Sequence, residues 1–435
     1  MKISVEATLG KLTPSQLAHL LDRRPADEAR LQETVRGILG RVRSEGDQAL
    51  LDMAQELDGV ALTTLEIPRP RWIAALDSME ARTREGWKRA ARNIRAFHTA
   101  QIPTEVTLEV ESGVRLGRRA VPLRTVGVYA PGGRAAYPSS VLMGVVPARA
   151  AGVREIIVCS PPGASGEPPP EVLAACEIAG VTRLFALGGA GAIGAMAYGT
   201  RTVPQVDAVL GPGNQWVTEA KRQVAGDLRI DSPAGPSEVL VVADSTADPS
   251  RVAAELIAQA EHDPEAAVAV VSWQPEVLET IRAELEKQIN RTPRREIVEV
   301  ALASRGACLL ARDRKEALGF AEDYAAEHLA LFTDDPQGDM ESQTTAGTVF
   351  LGDSSSVAFG DYLTGANHVL PTSGRSRSFS GLSALDFLRF YTWQEATPEG
   401  AAAMVDDVQR LANSEGLPAH AEAARARIIE REGYE

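Results

Sequence analysis

Residues 184–224 read LFALGGAGAIGAMAYGTRTVPQVDAVLGPGNQWVTEAKRQV. The stretch repeats one pattern: a short apolar run, a glycine-rich turn, then a helix. Leu184 to Leu187 runs into Gly188-Gly189-Ala190-Gly191 and a helix through Tyr198. Val206 to Leu210 runs into Gly211-Pro212-Gly213-Asn214 and a helix through Val224. Apolar runs bounded by glycine turns read as buried strands, and strands alternating with helices build a mainly parallel sheet covered on both faces.

The pattern extends in both directions. Upstream it begins at Val126 and includes Ile156 to Cys159 with a helix over 171–179. Downstream, Val239 to Val242 precedes a helix opened by Asp248-Pro249, an N-cap followed by proline in the first turn. Strand 267–272 with helix 275–289, strand 307–310 with helix 314–327, and strands 329–332 and 348–351 complete the series, enough for two sheets. Residues 1 to about 110 read as helices, with Leu31 to Leu57 and Pro70 to His98 at helical spacing. A hairpin is predicted from Thr107 around Ser112-Gly113. The tail from Ser383 reads as helical, with Thr397-Pro398 and Leu417-Pro418 opening helices. The expected fold is α/β, with two Rossmann-like parallel-sheet domains. A helical segment spans 1–24, a first α/β domain takes 25–128 and 238–378, a second takes 129–237, and a helical tail covers 379–435.

The 435 residues are 44% apolar and 24% charged, ordinary for a globular protein with a full core. A net charge of −14 argues against a nucleic-acid groove, which needs a basic face, and against an anionic membrane surface. The opening MKISVEATLGKLTPSQ lacks the apolar run of a signal peptide, and no stretch approaches the ~20 apolar residues of a membrane span. Cys159, Cys176 and Cys308 have no CxxC spacing and read as buried free thiols in a reducing compartment. The expectation is a cytoplasmic enzyme.

Of six histidines, His19 and His98 lie in amphipathic stretches and read as packing or surface residues. The other four stand near carboxylates or amides: His262 after Gln259 and Glu261, His328 after Glu327, His368 after Asp361, and His420 after Glu415. Histidine is the usual side chain for metal ligation and for proton transfer near neutral pH. Gln259 and His262, three apart, share a face at the end of the helix from Pro249. With Asp361, in a loop after strand 348–351, and His420, in the first turn of the last helix, they offer a four-coordinate set suited to zinc, although its oxygen content would also admit manganese or cobalt. The alternative is a solvated helix end and a turn residue. Glu327-His328 closes the helix through Tyr324 and offers an acid–base pair, or else a histidine favoured by the helix dipole.

The run Gly188 to Gly194 has glycines at dinucleotide spacing, but no acidic residue ends a next strand ~20 residues on. With Gly211-Pro212-Gly213-Asn214 and Ala130-Pro131-Gly132-Gly133-Arg134, three glycine loops stand at the carboxyl ends of neighbouring strands. They mark a crevice for a nucleotide, or structural turns.

The segments VGVYAPGGRAAYPSSVLM, GPGNQWVTEAKRQV, IDSPAGPSEVLVVAD, AQAEHDPEA, AEHL at 326–329, GDYLTGANHVLPT and EGLPAHA together resemble the histidinol dehydrogenase family, over nearly the whole chain. The resemblance implies oxidation of L-histidinol through the aldehyde to L-histidine, with two NAD reduced. It implies one zinc per subunit held by Gln259, His262, Asp361 and His420, with Glu327 and His328 as the catalytic pair. Ser237, His368 and Glu415 would bind substrate together with the zinc ligands and His328. Tyr129, Gly191 and Asn214 would stand on the NAD side, Gly191 replacing a common glutamine. Ala326 and Ala366 replace common prolines. The last helices would cross to a partner in an intertwined homodimer, so that Glu415 and His420 complete the partner's site.

Two competing readings remain. A branch of the same fold oxidises the diol 2,3-dihydroxypropane-1-sulfonate, although Arg134 to Ser140 resembles the histidinol enzymes more closely. That substrate calls for added cations, for which Arg375 and Arg377 are available. A zinc hydrolase would use three of the four ligands and leave one position open.

Overall fold

Six strands form a wholly parallel sheet in the order Val5–Thr8, Gly306–Leu310, Ala267–Ser272, Glu238–Ala243, His328–Phe332 and Thr348–Leu351. The computed structural model describes residues 2–23, 28–132, 136–232 and 235–428. The central strands EVLVVA, AVAVVS and HLALF are buried along their whole length, as strands covered on both faces must be. Val239, Val241, Val268 and Val270 pack one face against the helices Pro249–Ala260, Pro275–Ile289 and Arg295–Arg305. Leu240, Val242, Ala269 and Leu329 pack the other against Ala317, Phe320 and Ala321 of the helix Arg314–Tyr324.

A second six-stranded sheet has the order Glu66–Ile67, Arg183–Ala186, Glu155–Ser160, Thr125–Tyr129, Ala208–Leu210 and Arg229–Ile230. It is parallel except for Glu66–Ile67, which runs antiparallel to Arg183–Ala186. A separate compact unit comprises Ile102–Leu123 and Leu388–Glu435. Its three-stranded antiparallel sheet has the order Leu388–Ala396, Val114–Pro122, Val106–Glu111, and the helices Pro398–Ser414 and Pro418–Arg425 follow. Among the described residues, no helix is long and apolar enough to cross a membrane.

The mixed α/β architecture with parallel sheets agrees with expectation; several boundaries do not. The segment 1–24 is not purely helical, because Val5–Thr8 adds an edge strand beside Gly306–Leu310. Much of 25–128 belongs with the second sheet. It supplies Glu66–Ile67 and the helices Glu28–Glu45 and Asp47–Leu57, whose Val35, Leu39, Val42 and Leu50 share a core with Ile193 and Met196. The 128/129 boundary also cuts the strand Thr125–Tyr129. Gly46, with φ at 60°, interrupts what reads as one helix from Leu31 to Leu57. The tail is not helical from Ser383: Leu388–Ala396 finds a partner strand in Val114–Pro122. Helix 314–327 stops at Tyr324, where Ala325 takes a left-handed φ of 52°. Asp361 lies in the helix Val357–Tyr362 rather than in a loop. The boundary at 24/25 and residues Gly133, Arg134 and Ala135 lie outside the described residues.

Candidate active site

Glu327 and His328 arrive at the amino-terminal edge of the first sheet, where His328 opens its strand in register with Val239. The left-handed Ala325 ends the preceding helix and turns the chain directly into that strand. Glu327 is buried, and its Oε2 accepts hydrogen bonds from Ser237 Oγ and from the Glu238 backbone N–H, each at 2.6 Å. Burial pushes the Glu327 carboxyl well above its usual range; the two hydrogen bonds oppose that rise, and the Glu238 and Asp361 charges add to it.

His328 is buried beside it, with Nδ1 at 2.9 Å from the Glu238 carbonyl oxygen. A carbonyl there requires the N–H on Nδ1 and leaves Nε2 with its lone pair. Nε2 stands 3.9 Å from Asp361 Oδ1. Burial lowers the His328 pKa below its ordinary value, outweighing the attraction of Asp361. The arrangement is a neutral imidazole with a free basic nitrogen, next to a carboxylate whose proton affinity is raised: two groups able to accept protons near neutral pH.

Asp361 gathers further histidines. His368 Nδ1 is 3.1 Å from the Asp361 carbonyl oxygen and 4.0 Å from its Oδ1. His262 follows the end of the helix Pro249–Ala260; burial lowers its pKa, with Asp361 the main opposing attraction. Glu255 of that helix accepts from Val357 N–H at 3.1 Å and ties it to the helix carrying Asp361. Gln259, in the last turn, is buried and its Nε2 has no hydrogen-bond partner among the described residues. Buried amides are nearly always paired, so this unmet N–H donor calls for an acceptor that a bound ligand would supply. Among the described residues, no group of three or more His, Cys, Asp or Glu is gathered closely enough to hold a metal ion.

The second sheet presents its glycine loops at the carboxyl ends of its strands. Tyr129 closes the strand Thr125–Tyr129, and its hydroxyl accepts from Gly189 N–H at 3.1 Å, with burial pushing its pKa up to about 12. Gly211 has φ of +115°, and a Cβ there would meet the Tyr129 carbonyl oxygen at 2.2 Å, so only glycine fits. Asn214 caps the helix Gln215–Val224, accepting from Trp216 and Val217 N–H. It also lines a cavity of about 520 Å³ with Gly213, Arg222, Glu238 and Ser373. Glu327, His328 and Asp361 do not line that cavity; Glu238 links the two regions. Gly191 sits within the helix Gly189–Tyr198, where an added Cβ would meet Met53 Sδ at 3.1 Å. Its open side therefore faces the helix Asp47–Leu57.

The family profile described as histidinol dehydrogenase matches residues 21–428. The chain belongs to the histidinol dehydrogenase family. A histidinol dehydrogenase of Methanosarcina mazei is 42% identical over 429 residues, covering 98% of this chain and 99% of the relative. One from Natronomonas pharaonis is 46% identical over 423 residues, with 97% and 99% covered. The crystal structure of histidinol dehydrogenase from Elizabethkingia anophelis superimposes with a TM-score of 0.93 at 34% identity, over 98% of each chain.

Histidinol dehydrogenases are NAD-dependent oxidoreductases. Of the residues implied for that chemistry, the structure gathers Ser237, Glu327, His328, Asp361 and His368 by direct contact, with Gln259 and His262 on the adjoining helix end. Glu415 and His420 belong to the separate unit, where Glu415 ends the helix Pro398–Ser414 and His420 lies in the first turn of Pro418–Arg425, both exposed. Sequence reasoning missed Glu238 and Arg23. The available signal was one acid opening the otherwise apolar strand EVLVVA, immediately after Ser237.

Proposed function

We propose that this chain oxidises L-histidinol through L-histidinaldehyde to L-histidine in histidine biosynthesis, in the cytoplasm, as an intertwined homodimer of Rossmann-like halves with shared sites. The observation that carries the reading is the neutral His328, with Nε2 free, beside a buried Glu327 held by Ser237. In the first oxidation, His328 Nε2 takes the hydroxyl proton of histidinol as the carbon gives its hydride to NAD. Water then adds to the aldehyde, with Glu327 drawing off its proton. In the second oxidation, His328 takes a proton from the resulting hydrate as a second hydride leaves to a second NAD. The product is the carboxylate: two hydrides leave, one in each oxidation, and three protons are released. One goes to His328 in each oxidation and one to Glu327 on water addition, His328 returning its first proton to solvent before the second oxidation.

Tyr129, Asn214 and the backbone around Gly191 are assigned to the NAD side. Zinc would be held by Gln259 through its amide oxygen, His262, Asp361 and His420 of the partner subunit; an amide oxygen, a carboxylate and His262, whose pKa burial lowers, suit that donor set. When bound, zinc would anchor the imidazole and amino nitrogens of the substrate. Ser237, His368 and Glu415 are assigned to substrate positioning.

The sulfonated-diol reading draws no support from Arg377, which is exposed and donates to the Asp323 carbonyl. The variant His328→Asn tests the proposal. It should fold and bind zinc yet lose roughly 10²–10⁴-fold in turnover, the range of a general base; near-normal turnover would refute the assignment.

A further inference from the structure

Glu238 makes four kinds of contact around the acid–base pair. Its backbone N–H donates to Glu327 Oε2 at 2.6 Å, and its carbonyl oxygen accepts from His328 Nδ1 at 2.9 Å. Its carboxylate takes a bidentate grip from Arg23, Nε to Oε1 at 2.8 Å and Nη2 to Oε2 at 2.9 Å. Oε1 also accepts from Ser373 N–H at 2.7 Å. Arg23 is anchored in turn. It donates to the carbonyls of Leu20 and Tyr324, and its guanidinium lies 3.8 Å over the Tyr324 ring.

Both charged side chains are almost wholly buried, at 4% and 1% exposed. A buried ion pair is a poor route to stability, because apolar residues of similar volume serve as well or better. Ser373 adds a second departure from the cheapest fold. It holds a φ of +58°, unfavourable for a residue with a Cβ, while its N–H meets Glu238 and its hydroxyl meets the Arg23 carbonyl. Strain of this kind persists where the surroundings over-determine it, and it clusters at functional sites.

We infer that Arg23 and Glu238 are positioning residues: their ion pair, locked by Ser373, fixes the backbone of residue 238 and through it the orientation of Glu327 and His328 at once. The N-terminal segment, far from the site in sequence, thereby sets the geometry of the chemistry. This inference rests on the proposed roles of Glu327 and His328.

The test compares Arg23→Lys with the double variant Arg23→Met/Glu238→Met in the full-length, zinc-loaded enzyme, using histidinol and NAD. The double variant removes the ion pair without leaving a lone buried charge. Its kcat should fall on the order of 10²-fold, as expected for misplacement of about an ångström, with KM for histidinol and zinc content within about twofold of wild type. Arg23→Lys keeps the charge but loses the bidentate grip, and its kcat should be intermediate at unchanged KM. A folded double variant with wild-type kcat, or one whose KM rises while kcat holds, would overturn the inference. If the double variant fails to fold, Arg23→Lys decides alone: lowered kcat at unchanged KM supports the inference, and wild-type kcat overturns it. His328→Asn, assayed in parallel, separates the two levels. An inactive His328→Asn beside fully active pair variants defeats the positioning role only, whereas an active His328→Asn defeats the reading of the site.

Discussion

His328 Nδ1 stands 2.9 Å from the backbone oxygen of Glu238. That contact fixes the tautomer of a buried imidazole and turns its basic nitrogen toward Asp361, 3.9 Å away. Because the acceptor is a main-chain oxygen of a parallel strand, the orientation is inherited from the sheet.

Glu327→Gln should separate the two oxidations. The amide keeps the shape and an acceptor for Ser237 but is no base, so hydration of the aldehyde slows more than the first hydride transfer. About a 10²-fold loss is expected in the second step, with a smaller loss in the first. Histidinaldehyde fed directly to the variant would reveal this; equal losses in both steps would argue against a water-activating role.

Subunit sharing has a quantitative signature. Gln259→Ala and His420→Ala enzymes should each be inactive, but exchanging their subunits yields heterodimers with one intact site. Random exchange in a twofold-symmetric dimer should restore roughly a quarter of wild-type activity. No recovery after exchange verified by mass would place Gln259 and His420 outside a common site.

His98 should give the fold an acid sensitivity. It is fully buried, with Nδ1 at 2.8 Å from the Ile94 carbonyl oxygen and Nε2 at 3.4 Å from Asn367 Nδ2, an arrangement that suits the neutral ring. Burial lowers its pKa below the ordinary 6.5. The folded state therefore binds fewer protons than the unfolded one. The contribution is fully present above pH 6.5 and is lost as pH falls through and below that value, at no more than about 1.4 kcal/mol per pH unit. Urea unfolding of His98→Leu should show a flatter dependence over that window than the parent; an unchanged slope would mean His98 is protonated when folded.

Lys221 and Asp231 form a second buried pair, at 2.5 Å, and together they clamp the backbone of Gly211 through its oxygen and its N–H. Lys221→Met leaves Asp231 buried without its cation and should cost about 3–5 kcal/mol. Adding Asp231→Leu should recover most of that. NAD binding should stay weakened in the double variant, since Gly211 then loses the groups that hold it three residues before Asn214. Calorimetric titration with NAD checks this, and wild-type affinity in the folded double variant would contradict it.

How far the sequence carried the fold depended on whether the signal was local. Val206 to Leu210, Gly211 and the helix through Val224 are legible because glycine freedom, apolar runs and caps act over a few residues; Asp248 indeed accepts from Ser250 N–H at the helix start. Val5–Thr8 and Leu388–Ala396 were not legible as strands, because their partners, Gly306–Leu310 and Val114–Pro122, lie hundreds of residues away. The same holds at the site. Histidines near carboxylates marked Glu327, His328, Asp361 and His368, which the structure draws together. Arg23 and Glu238 carry no such mark, since their meaning appears only once the N-terminal segment and the strand Glu238–Ala243 meet. The proposed acid–base pair also stands at the amino end of its strand, whereas sites in parallel sheets usually open at the carboxyl ends. The sequence already sets the pair just before the strand 329–332; what the tertiary structure adds is the register of His328 with Val239.

The most direct test of the central claim is the count of NADH formed per L-histidinol consumed by the zinc-loaded enzyme, repeated after chelation and after zinc is restored. Two NADH per histidinol, lost with chelator and recovered with zinc, is the predicted result. No NADH from histidinol, with turnover of the sulfonated diol instead, would contradict it.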